Sequence, residues 1–212
     1  MNRIGRPRKG ESAIRRDQLL DHALRLFVER GYGNVSLETI AREARVSLRT
    51  IYRYFGGKAD LFGAVIRHYS DLLVATLPLE QALAKPLEET LIVFGKHFLF
   101  RLSRPEIIRL RAQLIAEAHQ FPELAAEFYE QGPQRTLDRL AKFFGMHQQV
   151  GHVVAMDPAF LAGQFVNALR GERFQRQQLG LESAPTEDEV EHWTEQVVKL
   201  FLRGCLNRTD AG

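Results

Sequence analysis

The chain contains a single cysteine, Cys205, among 212 residues, so no internal disulfide can form. It has no 18-residue apolar run and no basic-then-apolar leader, which points to a soluble, cytoplasmic protein with no role at a membrane. Alternating apolar and polar positions never extend past a few residues, so no sheet is expected. Catalytic patterns are missing too: there is no Gly-x-Ser-x-Gly elbow and no paired nucleophile and base. Gly56-Gly57-Lys58 lacks the upstream glycine and the following Ser or Thr of a phosphate loop. Of the seven histidines, His147 and His152 lie five apart in a glycine-bounded stretch, a spacing unsuited to one helical face and without a cysteine partner. Neither a metal site nor a cofactor is expected, and the chain is not read as an enzyme. At 45% hydrophobic residues it can build one large core or two small ones without staples.

What is present is charge of uneven distribution. Residues 1–58 hold thirteen Lys and Arg against six Asp and Glu, a surplus of seven, while residues 59–212 hold sixteen against twenty. A basic end attached to a mildly acidic remainder is the electrostatic footprint of a nucleic-acid module joined to something else. Within the basic end, Ser36 to Lys58 predicts two short helices around a tight turn. Leu37, Ile40, Ala41 and Ala44 form an apolar face with Ser36 as N-cap. Ser47 then caps a second helix whose Ile51 and Phe55 point inward, leaving Leu48, Arg49, Thr50, Tyr52, Arg53 and Tyr54 outside. A short helix exposing two arginines, two tyrosines and a threonine suits the major groove, where Arg49 can reach a guanine edge and hydroxyls can fix phosphates. The reading is a helix-turn-helix. A solvated helical hairpin is the plainer alternative.

Gly31 to Phe62, GYGNVSLETIAREARVSLRTIYRYFGGKADLF, resembles the N-terminal DNA-binding domain of the TetR family of bacterial transcriptional regulators. The shared features are Gly31-Tyr32, Ile40-Ala41, Val46-Ser47, the run Thr50 to Phe55, and Lys58 followed by Asp60-Leu61. The resemblance implies DNA contacts at Thr39, Ser47, Leu48, Arg49, Thr50, Tyr52, Tyr54 and Lys58, with Leu48 and Arg49 as the sequence-reading positions. Two positions depart from the family's usual residues: Arg45 stands where glycine is usual in the turn, and Val35 where Thr is common. Either the turn differs here or Arg45 tolerates a left-handed conformation, at about 1 kcal/mol, to reach a phosphate. The family further implies a homodimer on a palindromic double-stranded DNA operator, released by a small-molecule effector, usually as a repressor. An activator of the same family is the alternative, and a helical lipid-binding carrier or enzyme is the reading from a different class.

In chain order, residues 1–13 are expected to be a mobile basic arm, either a nonspecific tail or one that places Arg6 or Arg8 in the minor groove. Residues 14–60 are expected to form the helix-turn-helix domain and 61–212 a larger helical ligand-binding and dimerisation domain, the two joined by a linking helix from Asp60 to Leu77. The fold class is all-α. Pro86, Pro105 and Pro122 sit where helices begin, and Pro133 forces a kink or break. Leu87 to Leu102 reads as buried nearly all round. Residues 145–156 read as a connection, Asp157-Pro158 as the start of a long helix, and Thr186 with Glu189 as a capping box.

Two further sites are expected in the C-terminal part. Phe94, Phe98, Leu114, Ile115 and Phe128, with Arg111 and His97 as polar groups, are the candidate lining of a cavity for a mostly apolar ligand. Ala159, Gly163 and Asn167 on one late helix, and Trp193, Val197 and Phe201 on the last, are the candidate dimer interface, because small residues admit a close neighbour and a Trp-Phe stripe is a poor solvent face. The run Phe128 to Ala141 and Gln120 to Leu124 loosely resemble the ligand-binding half of a TetR subgroup.

Overall fold

The computed structural model describes residues 9–206, with side chains from Arg16 onward, so Arg6 and Arg8 lie outside the described residues. Among the described residues there are ten α-helices and no strand, and the all-α expectation holds. They are α1 (Lys9–Arg30), α2 (Leu37–Glu43), α3 (Leu48–Phe55), α4 (Lys58–Val74), α5 (Leu87–Leu102), α6 (Pro105–Glu117), α7 (Pro122–Tyr129), α8 (Arg135–Gln149), α9 (Pro158–Gln178) and α10 (Glu187–Cys205). No described helix is long and apolar enough to cross a membrane. Helix α1 starts earlier than expected: residues 9–13, read as part of a mobile arm, are helical, because extending an existing helix costs far less than nucleating one.

The described chain divides into two compact units, 9–69 with 113–131 and 70–112 with 132–206. The first unit therefore takes in the end of α6 and all of α7, which the sequence reading assigned to the C-terminal domain. Its core joins Leu20 and Phe27 of α1, Ile40 of α2, Ile51 of α3 and Phe62 and Val65 of α4, all fully buried. Phe27 and Tyr32 both meet the Phe62 ring edge-on, at 5.5 and 5.7 Å between centroids. The segment 113–131 is fastened to this unit by polar contacts. Glu117 Oε2 accepts from the Gly33 amide at 2.9 Å, Gln113 Nε2 donates to the Val28 carbonyl at 2.9 Å, and Arg67 Nε donates to Gln131 Oε1 at 2.8 Å. Phe121 meets Tyr32 edge-on at 5.4 Å.

In the second unit α5 packs against α9 and α10, with α8 on α9. A Cβ on Gly95 of α5 would come within 2.6 Å of Thr194 Cγ2, so only glycine permits this approach of α5 to α10. Burial of α5 is one-sided rather than all round: Leu91, Phe94, Phe98 and Leu99 face the core, while Val93, His97 and Phe100, at helical spacing, form an exposed strip. Pro133, which has no N–H to offer, lies in a π-helical turn at Glu130–Gln134, the expected kink between α7 and α8. Helix α8 continues to Gln149, so Gly145 to Gln149 are helical rather than connecting, and His147 is buried against the Phe143 ring. Burial, then the neighbouring His152, holds the His147 pKa down, consistent with a neutral imidazole in the core. The caps are as read: Asp157 accepts from the Ala159 amide, and Thr186 and Glu189 form the reciprocal capping box.

One break was not expected. Gly171, inside α9, has φ 56 and ψ −171, a region essentially restricted to glycine. The Trp193 indole fills the space, since a Cβ on Gly171 would lie 2.6 Å from Trp193 Cζ2, and its Nε1 donates to the Leu169 carbonyl at 2.9 Å. Gly171→Ala should therefore lower stability by about 2 kcal/mol through backbone strain and the indole contact together. Denaturant unfolding measures this, and an unchanged midpoint would show that α9 straightens at no cost.

Candidate nucleic-acid interface

Helix α3 is eight residues long and is held from one side only. Ile51 is fully buried and Phe55 nearly so, which leaves Arg49, Tyr52 and Arg53 exposed and Leu48, Thr50 and Tyr54 partly so. A helix this short does not persist in water alone, so these two anchors and its cap set its orientation. Ser47 Oγ accepts from the Thr50 amide at 3.1 Å and hydrogen-bonds the Thr50 hydroxyl at 2.7 Å. Ser36 repeats the arrangement on α2, accepting from the Thr39 amide at 3.2 Å, with the two hydroxyls also 3.2 Å apart. Both threonine hydroxyls named from the sequence are thus fixed in place beside helix starts, where backbone N–H groups favour anions.

The turn between α2 and α3 settles the question of Arg45. Its φ is 53, making it the one non-glycine residue at positive φ among the described residues. The left-handed turn is kept and a bulky residue bears it. Arg53 lies over the neighbouring Tyr54 ring at 5.0 Å and reaches the Tyr54 hydroxyl at 3.4 Å, so the two present one combined cationic and phenolic face.

Lys58 is the first residue of α4. Its Nζ rests 4.2 Å from the centre of the Tyr32 ring. Desolvation pulls the Lys58 pKa down, and the Glu117 charge acts the other way. Burial, followed by the charges of Glu123, Asp60 and Glu117, pushes the Tyr32 phenol up to about 12, so it stays neutral at physiological pH. The carboxylate that holds the Gly33 amide is therefore also the counter-charge felt by Lys58. Glu117 carries no motif and could not be singled out from the sequence, because its partner is 84 residues away.

The other candidate residues are scattered by the structure. Phe94 and Phe98 are buried in the second unit and stack at 5.8 Å, and Arg111 lies over Phe174 in the same unit. His97, expected in a cavity wall, sits on the exposed strip of α5 and bonds the Val93 carbonyl of its own helix. Leu114, Ile115 and Phe128 belong to the first unit, where Leu114 is buried and Ile115 is 63% exposed. Of the dimer candidates, Ala159 and Asn167 are exposed on α9, and nothing lies within 4 Å of a Cβ built at Gly163. Val197 instead faces the chain's own core, and Phe201 packs on Phe165 at 5.0 Å. Neighbouring stripes on α10 point different ways: Leu200, one position from Phe201, is 74% exposed, and Phe160 on α9 is 51% exposed. Neither is among the interface positions that the sequence reading named.

Comparison with known proteins agrees with this architecture. Residues 19–65 match the family of bacterial regulatory proteins, tetR family, and residues 89–204 match the AefR-like transcriptional repressor, C-terminal domain. The flavonoid-responsive regulator FrrA is similar over 93% of this chain and 100% of its own, with 32% identity and a TM-score of 0.73. A TetR-family regulator from Mesorhizobium loti MAFF303099 is similar over 92% and 98%, with 25% identity and a TM-score of 0.77. The HTH-type transcriptional regulator HbdR of Aromatoleum sp. (strain CIB) is 37% identical over 75 residues, 35% of this chain and 33% of HbdR, so that match spans about a third of the relative's length. A helix-turn-helix in front of a larger helical half defines a DNA-binding transcriptional regulator rather than an enzyme. The chain belongs to the TetR family.

Arg45→Gly isolates the cost of the turn. Relief of left-handed strain, less the extra chain entropy of glycine, should raise stability by up to about 1 kcal/mol in denaturant unfolding. A loss of stability would show that the arginine side chain holds the turn together.

Proposed function

We propose that the protein is a cytoplasmic homodimeric repressor that binds a palindromic operator and is released by a small, mostly apolar ligand. The observation that carries this reading is helix α3, anchored by Ile51 and Phe55 and presenting Arg49 and Tyr52 to solvent. Leu48 and Arg49 read base edges, while Thr39, Ser47, Thr50, Tyr52 and Tyr54 fix phosphates. Arg45 accepts its strained backbone because its side chain reaches a phosphate, and Lys58 exchanges its place over the Tyr32 ring for a phosphate as DNA arrives. The likeness of the C-terminal part to a repressor domain supports repression, and the relative described as flavonoid-responsive supports an effector with an aromatic body.

Two recognition helices about one helical turn apart, roughly 34 Å, require a dimer. Its interface is the outer face of α9 and α10: Phe160, Gly163 and Asn167 with Leu200 and Gly204, large exposed apolar groups beside open glycines. For release, α6 runs as one helix from the second unit into the first, where Gln113 and Glu117 hold the Val28 and Gly33 backbone. A ligand that shifts α6 moves that grip, and a hundredfold change in operator affinity needs roughly 2.7 kcal/mol of coupling.

Arg49→Ala should lose about 1–3 kcal/mol of operator binding and relax preference at one base pair. Lys58→Ala should weaken all sequences alike and flatten the salt dependence by about one unit. Titrations against operator and scrambled duplexes at several salt concentrations separate the two, and equal loss of preference in both would reverse the assignment. Leu200→Glu should leave folding intact and give a monomer in sedimentation. It is a cleaner probe than Trp193→Glu, because Trp193 also supports the break at Gly171. A folded Leu200→Glu dimer would place the interface elsewhere.

A further inference from the structure

In the first unit, three consecutive residues, Gly31, Tyr32 and Gly33, close around one carboxylate. Glu117, the last residue of α6, accepts from the Gly33 amide at 2.9 Å through Oε2. Its other oxygen, Oε1, would lie 2.6 Å from a Cβ on Gly31, and Gly31 has φ 82, so glycine alone leaves room for the carboxylate there. The Phe121 ring stands beside Gly33 as well, 3.3 Å from where a Cβ would be. The Glu117 side chain is half-buried and held by the backbone it touches. Between the two glycines, the Tyr32 ring carries the Lys58 Nζ at 4.2 Å from its centre. One anion and one cation are thus tied to adjacent residues of a single turn.

The Lys58 ammonium is favoured at this place by the ring face and by the Glu117 charge, against a desolvation cost that draws its pKa down. After burial itself, Glu123, Asp60 and Glu117 push the Tyr32 phenol up, and of these Glu117 is the one that also favours the Lys58 ammonium. A charge held by a backbone hydrogen bond does not swing away, so it acts on a neighbour more than a free surface carboxylate does. A DNA phosphate competes with this resting place. Whatever stabilises Lys58 in the free chain is given up when Lys58 moves to DNA, and weakens the complex by the same amount.

We propose that Glu117 is a positioning residue that restrains DNA binding: its carboxylate, fixed on the Gly33 amide, keeps the Lys58 ammonium on the Tyr32 ring, and Lys58 reaches a phosphate only by leaving both. The proposal rests on the reading of Lys58 as a phosphate contact. It separates two roles of one side chain, since the hydrogen bond to Gly33 needs an oxygen and the restraint on Lys58 needs a charge.

The full chain is titrated with a mixed-sequence DNA duplex, because a phosphate contact is felt on any sequence. Glu117→Gln keeps an oxygen for the Gly33 amide and removes the charge. It should bind the duplex about threefold more tightly than the parent chain, with thermal melting confirming the fold. Glu123→Gln removes the same charge from a carboxylate not bonded to Gly33, and should gain clearly less. In a Lys58→Met background the two gains should become equal, since only the general repulsion between a carboxylate and DNA is left. Equal gains in the parent background, a surplus that survives Lys58→Met, or a weaker complex from folded Glu117→Gln would overturn the restraint. Magnetic resonance of the chain without DNA gives a second reading. The ε-methylene protons of Lys58 should lie upfield under the Tyr32 ring, and should move back toward the ordinary lysine position in Glu117→Gln. An ordinary position in the parent chain overturns the proposal even if Glu117→Gln does not fold, and so does an unmoved signal in the folded variant. Lys58→Met alone separates the two levels of the argument. Unchanged affinity in that variant contradicts the phosphate reading and the restraint with it, whereas weakened affinity without the Glu117 surplus keeps the reading and overturns the restraint.

Discussion

The DNA-binding unit depends on the packing around Tyr32. This ring is nearly buried and touches Phe27 of α1, Phe62 of α4 and Phe121 ahead of α7, and it carries Lys58 on its face. It follows Gly31, where α1 stops and the chain turns toward α2. A single residue thus sets the direction in which α2 and α3 leave α1, and it is clamped by a segment more than 80 residues later in the chain. Aromatic pairs of this geometry contribute about 0.5–1.5 kcal/mol each beyond their buried area, and a cation on the ring adds a similar amount. The recognition helix contributes little to its own stability. Its position follows from this cluster and from the two side chains, Ile51 and Phe55, that it sends inward.

The second unit is organised by close approach. Gly95 lets α5 touch Thr194 of α10, and Gly171 opens α9 to the Trp193 indole. These contacts fix the side chains near them, Phe98 and Phe94 on α5 and Arg170 and Phe174 on α9, more tightly than helix propensity could. The outer faces of α9 and α10 are left with Phe160 and Leu200 in solvent.

Much of this was legible because it is local. Ser36, Ser47, Asp157 and Thr186 with Glu189 announce helix starts by residue type and spacing, and the structure shows each as a hydrogen-bonded cap. The division of α3 into Ile51 and Phe55 inside and Arg49 and Tyr52 outside follows from helical period alone. Features that depend on distant partners were not legible. Gly171 reads as one more small residue on a helix, and only the Trp193 ring explains its backbone. Glu117 and Gln113 look like ordinary polar positions until their partners, the Gly33 amide and the Val28 carbonyl, are seen. On α10 the buried Val197 and the exposed Leu200 lie three residues apart, and periodicity could not say which of two adjoining stripes faced inward. His97 was misplaced for the same reason on α5.

The central claim is that α3 reads DNA sequence, and selection from genomic fragments tests it most directly. The purified chain, mixed with random genomic fragments and excess competitor DNA, should retain fragments that share a palindrome whose half-sites are about one helical turn apart. If no fragment is retained over competitor at any salt concentration, or if the retained fragments share no repeated half-site, the account of α3 as a sequence-reading helix is contradicted.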